Sequence, residues 1–555
     1  MSAYIPARPS LMRLPDVRVF SSRTERGTTR LHHIAGALSG SVSSPLPRPV
    51  TAAAAGYLPD NFLWHFYDRM IAIPESLDLG SISSEQVVRV HLWNATFRTQ
   101  TLRSVLVSGR EGITLSGTGL PRAMNRLGML TWTVTVAMEG PDAINTQLQW
   151  MLDGGWHALM KLTGRRSVPW LITPDWSEHV TETLSWKTDV LVSLTGAEQR
   201  IARRLSPRRT FEFKALASGN DARQLESSLF HYGSRVWSLP LFTDVSVLDV
   251  ALPPGSLTLP VVTKGRDFAP GGQVMLASAQ PGERNETAEI AEVGESSLTF
   301  RRPLRLFWPA GTHLFPVRSA MLTDPATITR KSDNTIAVRV RFRLTGHNAF
   351  NIAASLPVYR GFYVIEPGSD WSDDLSMEYQ RNVMTFDNDT GVIRVHDFAH
   401  RPFGVQRYRS VMRGRDEQAA FRAMLYALRG RQKPVWVGSQ SSDFDVIRIS
   451  GNHITVSATG VSLNGPQPGR RDLRIETGSG TYYVRLTSVI RPDNATEIMV
   501  FDGPPLQFTG PEVLKLSWLT LCRLDGDDVA WEHITDADGV AVVDVNFRGV
   551  RDELE

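Results

Sequence analysis

The residues of this chain that could do chemistry are few, and they are best weighed first. Asp525-Gly526-Asp527-Asp528, with Asp536 and Asp538 nearby, gathers enough carboxylates for a hard cation. It lacks the D-x-D-x-D-G alternation that would aim them at one ion, so it reads as a solvated turn. His32-His33 are adjacent, which sends the two rings to opposite sides of an extended chain and argues against a metal. Asp373-Asp374 could in principle pair as acid and base on a glycoside, but neighbouring carboxylates diverge in the same way. Gly460-Val461-Ser462-Leu463-Asn464 approaches a nucleophile elbow but lacks its closing glycine. There is no His-Glu-x-x-His and no glycine loop followed by Lys-Ser/Thr. Arg208-Arg209 and Arg429 to Arg431 read as salt bridges to a neighbouring subunit before phosphate contacts. No catalytic residue, cofactor or metal is expected, and no enzyme.

Composition narrows the class. The chain has 555 residues, 42% of them hydrophobic, enough for several cores. A net charge of +3 is small for this length and does not imply a general nucleic-acid surface. The single cysteine, Cys522, excludes an intrachain disulfide and any multi-cysteine metal site, as suits a reducing compartment. Met1 to Ser10 has no apolar h-region and no run of eighteen apolar residues occurs, so neither a signal peptide nor a membrane span is expected.

The elements that must hold these residues are organised by a repeat. Asp175 to Asp221 can be laid without a gap on Asp370 to Asp416. Asp175-Trp176-Ser177 falls on Asp370-Trp371-Ser372, Thr195-Gly196 on Thr390-Gly391, Pro207 on Pro402, and Gly219 and Asp221 on Gly414 and Asp416. Both copies run on into a helical pattern and end on Val236-Trp237 and Val435-Trp436. The matching residues fix backbone shape: glycine for positive φ, proline for a set φ, a helix-capping aspartate, and tryptophans to anchor a core or interface. Asp175, Trp176, Trp237, Asp370, Trp371 and Trp436 are therefore the expected structural anchors. Reactive residues differ between the copies, so the duplication reads as architecture.

In chain order, residues 1–60 are a Pro-, Ser- and Arg-rich arm. Residues 61–165 read as a short aromatic helix at Phe62 to Tyr67 followed by an immunoglobulin-like β-sandwich without cysteines. Residues 166–360 and 361–555 are the two repeats, each with one helix and an inserted small β-barrel at 248–332 and a β-rich insert at 447–537. Val338 to Arg343 and Val543 to Arg548 alternate with period 2 and close the two parent sheets. The expected fold class is mainly β and multi-domain, with a tandem-duplicated domain.

Taken in order, Ile73-Pro74, Leu77-Asp78-Leu79-Gly80, Leu92-Trp93-Asn94-Ala95, Gly112-Ile113, Pro174-Asp175-Trp176-Ser177, Gly196 to Arg200, Arg208 to Glu212 and Tyr426 to Gln432 resemble the minor tail or tail-tip proteins of long-tailed bacteriophages. The resemblance runs from about Asn61 to the end. It implies tube-like domains in a ring at the tail tip or baseplate of the virion, built in the host bacterial cytoplasm. The implied partners are copies of the chain itself (a trimer), the tube, tape measure and hub or fibre proteins, and genome DNA that passes without specific binding. Two tube-like domains per chain would let a trimer present six surfaces to a six-fold tube. The competing expectation is a host-receptor or polysaccharide-binding tail module.

Overall fold

The computed structural model describes residues 67, 69–82, 85–137, 139–278, 284–350, 352–535 and 539–551. The arm, His32-His33, most of the helix expected at Phe62 to Tyr67, and Asp536 and Asp538 lie outside them. The described chain is mainly β, with several sheets and two α-helices. It forms two compact units, the second holding 163–555 with the segments 78–86 and 136–145.

Residues 70–166 carry the strands β1 (Met70–Ile73), β2 (Ser76–Ile82), β3 (Gln86–Asn94), β4 (Gln100–Ser108) and β5 (Ile113–Gly117). β6 (Arg122–Met124), β7 (Met129–Val136), β8 (Ala143–Leu152) and β9 (His157–Arg166) complete them. They form one sheet in the order β1-β3-β7-β5 and another in the order β2-β9-β8-β4-β6. Alternate residues are buried along β7 and β8, as two-faced strands require. Trp132 of β7 meets Trp150 of β8 with ring centroids 5.9 Å apart, so the two sheets face each other as a sandwich. Asn94 is buried; its amide donates to the carbonyls of Arg98 (2.9 Å) and Asn125 (3.0 Å), and its Oδ1 accepts from the Thr96 hydroxyl (2.8 Å). The Asn94-Ala95-Thr96 sequon is thus an internal corner.

The second unit opens with β10 (Val168–Pro169), β11 (Val180–Ser185), the hairpin β12 (Thr188–Val192) and β13 (Glu198–Ala202), and β14 (Arg208–Ser218). Then come helix α1 (Gly219–Tyr232), β15 (Trp237–Pro240) and β16 (Ser246–Val247). The first insert carries β17 (Thr258–Pro260), β18 (Gln273–Ala277), β19 (Asn285–Val293) and β20 (Ser297–Phe300). The parent sheet resumes with β21 (His313–Leu322), β22 (Thr327–Arg330) and β23 (Thr335–Leu344). The second repeat follows the same plan: β24 (Val358–Tyr359), β25 (Phe362–Ile365), β26 (Met377–Gln380), the hairpin β27 (Val383–Phe386) and β28 (Arg394–Asp397), and β29 (Phe403–Arg413). After helix α2 (Arg415–Leu428) and β30 (Val435–Gly438) comes the second insert, with β31 (Val446–Ser450), β32 (His453–Ser457), β33 (Asp472–Thr477), β34 (Gly480–Ile490) and β35 (Thr496–Asp502). β36 (Val513–Leu524), β37 (Asp528–His533) and β38 (Val540–Gly549) end the chain.

The registers of the repeats match strand for strand. Glu182 opposes Phe211, and Met377 opposes Gln406. Thr188 opposes Ala202, and Val383 opposes Asp397. Phe211 opposes Phe342, and Gln406 opposes Phe547. β23 and β38 bury the same alternating face, which closes a core in each repeat.

Two expectations need correction. Neither insert is a closed barrel. In the second, pairing runs β31-β32-β35-β34-β33-β36, and β36 then pairs with β30 and β38 of the parent sheet, which uses the edge a barrel would need for closure. Each insert still has its own core, around Trp308 in the first and Trp518 in the second. Asp221 and Asp416 do not cap their helices. They lie in the first turn, where a carboxylate meets the positive end of the helix dipole, while Ser218 and Gly414 occupy the cap positions.

Candidate functional site

The repeats share a strand pair, and a cluster of buried charge lies beside it. β11 of the first repeat runs antiparallel to β37 of the second, with Glu182 opposite Trp531 and Ser185 opposite Asp528. Leu184 and Trp186 cross over and pack into the hydrophobic core of the second repeat. On the polar side, the Glu182 carboxylate is fully buried. It accepts from Arg209 Nε of β14 at 2.8 Å and from both terminal nitrogens of Arg422 of α2 at 2.8 Å. His533 Nε2 lies 3.2 Å away. Arg209 also reaches Asp267, which accepts from Arg318 at 2.7 Å, and Asp244 pairs with Arg266 at 3.0 Å.

Burial alone would raise the Glu182 carboxyl, but the charges of Arg209 and Arg422 outweigh it and hold the group well below the usual carboxylate range. Burial pushes the His533 imidazole down, so the ring is neutral and its Nε2 proton goes to Glu182, which can only accept. Arg209, Arg422, His533, Asp244, Asp267 and Arg415 border a cavity of about 300 Å³. Burial would raise the Asp267 carboxyl in it, but Arg209 and Arg318 hold that group below the usual range, whereas burial raises Asp244 against Arg266 and Arg415. The cluster ties the two repeats together across the β11–β37 pair.

A second contact reinforces the first. The β12–β13 hairpin lies over the second repeat, where Glu198 and Arg523 pair bidentately at 2.8 Å with both side chains buried. Gly196 at the hairpin tip has φ +84° and faces the Phe403 ring so closely that a Cβ would lie 2.2 Å from Cζ.

The anchors predicted from sequence are placed as follows. Trp237 and Trp436 are buried at equivalent points, on β15 and β30, each paired in parallel with a strand at the start of its repeat. Asp175 and Asp370 also correspond. The Asp175 amide donates to the Lys214 carbonyl (2.7 Å) and its carboxylate lies 3.3 Å from Lys214 Nζ; Asp370 makes the same pair with Arg409 at 2.8 and 3.5 Å. Trp176 packs against the first core, but Trp371 is 63% exposed.

Of the residues that hold the junction, Arg209, Arg431, Asp527 and Asp528 were singled out in the sequence, whereas Glu182, Arg422 and His533 were not. Glu182 looks like any strand glutamate until β11 meets a strand some 350 residues away. The acidic run is a partly exposed turn, with Gly526 and Asp528 exposed, whose carboxylates are engaged by hydrogen bonds. Asp527 accepts from the Thr188 amide (2.7 Å) and the Arg431 amide (3.0 Å), and Asp528 accepts from the Ser185 hydroxyl. Arg209 and Arg431 do form ion pairs as expected, but within the chain instead of with a neighbour. The near-elbow is a carboxylate cradle: Glu497 is buried and accepts from the amides of Thr459 (2.9 Å), Gly460 (3.2 Å) and Ser462 (2.9 Å) and from the Ser462 hydroxyl (2.5 Å). Asp373 is held by Arg407 at 2.8 Å. Among the described residues no group of three His, Cys, Asp or Glu converges as metal ligands would, and no helix is long and apolar enough to cross a membrane.

No protein family matches the chain, and no curated protein matches it. Among solved structures it is similar to the secreted serine protease VesC from Vibrio cholerae, with a TM-score of 0.15 and 8% identity over 47% of this chain and 48% of that one. The chain thus spans about half the length of that structure, and a likeness at this level carries no argument about fold or activity.

Proposed function

We propose that this chain is a structural component of a bacteriophage tail tip or baseplate. It joins the tail tube to the tip and lines the passage for genome release as a ring of three copies with pseudo-six-fold symmetry. The observation that supports this reading best is the side-by-side pairing of two equivalent domains through β11 and β37. Duplicated domains linked edge to edge are the repeating step a ring needs, and a three-fold ring of such pairs offers six like surfaces. The partners in this reading are the tube, tape measure and hub or fibre proteins, and the chain runs no reaction.

Native mass measurement and negative-stain images of the purified protein test the reading. Three copies with six peripheral lobes are expected. A stable assembly whose copy number is not a multiple of three would remove it. Binding on a glycan array without ring formation would favour a receptor-binding module instead, and lysis of purified peptidoglycan would make the chain a hydrolase.

A further inference from the structure

The intrachain junction uses one edge of each repeat, and the matching registers locate the two edges left over. β11 of the first repeat corresponds to β26 of the second, since Glu182 opposite Phe211 matches Met377 opposite Gln406. β37 of the second corresponds to β22 of the first, since Trp531 opposite Val543 matches Ile328 opposite Val338. β26 is paired with β29 and β22 with β23, and the registers place no strand on their outer edges among the described residues. All four residues of β22 and the first three of β26 are exposed. An unguarded edge of this kind is a template for another strand.

The chemistry at these positions has changed in a concerted way. The buried Glu182–Trp531 position of the junction becomes Met377 and Ile328. The hairpin β27–β28 corresponds to β12–β13, which places Ile393 where Glu198 stands. Arg523 opposite Arg548 matches Met321 opposite Arg343, which places Met321 where Arg523 stands. The ion pair of the intrachain contact is therefore replaced, on both sides at once, by two apolar side chains. Val383 and Val395 lie on the same hairpin face as Ile393, in place of Thr188 and Arg200. The six residues Met377, Ile328, Ile393, Met321, Val383 and Val395 are 37–62% exposed. A replacement of both members of a pair by residues that suit each other is expected if they meet, and here they can meet only between chains.

We infer that β26 and the β27–β28 hairpin of one copy dock on β22 and β21 of a second copy, repeating the intrachain junction with apolar contacts in place of ionic ones. Met377 then opposes Ile328, and Ile393 packs on Met321. The inference rests on the ring reading for its copy number alone.

Two full-length variants, Met377→Cys and Ile328→Cys, are mixed under mild oxidation. The native Cys522 is buried, with its thiol pushed up to about 12, and stays silent. A disulfide-linked dimer is expected in the mixture and in neither variant alone, and the chain carrying both substitutions is expected to give a ladder that stops at three. No cross-link in an assembly that still forms would overturn this surface and leave the ring reading standing. A ladder that grows without end would support the surface and remove the closed ring. Monomers with no cross-link at any soluble concentration would overturn both. As a second measurement, Ile393→Glu should weaken association at least tenfold with an unchanged circular dichroism spectrum, and adding Met321→Arg should restore it by rebuilding the Glu198–Arg523 arrangement. Unchanged association in Ile393→Glu, or no rescue by the pair, would overturn the inference.

Discussion

Removing Glu182 would leave the Arg422 guanidinium without its carboxylate in the closed junction, while Arg209 keeps Asp267. A buried ion pair contributes little over an apolar substitute, but breaking one side costs about 3–5 kcal/mol because a charge is left unpaired. Glu182→Ala should therefore lower stability by roughly that amount in chemical denaturation. Glu226→Ala, which frees only the exposed Arg330, should cost about 0–1 kcal/mol. Glu497 gives a pH test. Burial would raise it, but the Ser462 hydroxyl and the amides around it bring the carboxyl to about 2, from an ordinary 4.5. A carboxyl lowered by folding stabilises the native state above its unfolded value, and that contribution is lost as pH falls toward the folded one. Protease resistance of the second insert should thus decline between about pH 4.5 and 2, and Glu497→Gln should flatten that decline.

At the scale of elements, the hairpin tip is a contact between the halves. Gly196→Ala would both strain a left-handed residue and drive a methyl into Phe403. It should loosen β12–β13 from the second repeat at a cost of about 1–3 kcal/mol, seen as faster cleavage between Ser193 and Ala197. How much of this was legible follows from where the information sits. The gap-free match of Asp175 to Asp221 on Asp370 to Asp416 carries hairpin and strand registers, because glycine, proline and period-2 alternation act locally. The β11–β37 pairing was invisible, since nothing in a strand's own pattern names its neighbour. For the same reason the inserts read as barrels: short strands and turns announce a small sheet, but whether its last edge meets its first or the parent sheet is a long-range fact. Trp371 looked like an anchor by its match to Trp176, and the structure leaves it on the surface.

At the scale of the whole molecule, two kinds of joint are set against each other. The intrachain joint is ionic and buried; the inferred joint between chains is apolar. Salt screens exposed charges and strengthens apolar burial. The assembly should accordingly persist or tighten between about 0.1 and 1 M salt, as measured by sedimentation. Assembly that dissolves at high salt would point to contacts carried by charge. The ion pairs between the closing strands behave differently again. Glu212 of β14 faces Arg339 of β23 at 3.7 Å, while the corresponding Arg407 of β29 faces Asp544 of β38 at 2.7 Å with the signs exchanged.

That exchange of sign has a consequence for the history of the gene. A crossover between the two halves that separated β14 from β23 would set Glu against Asp in one product and Arg against Arg in the other. Like charges on neighbouring strands repel, so exchange between the halves is disfavoured at this pair by about 0–1 kcal/mol.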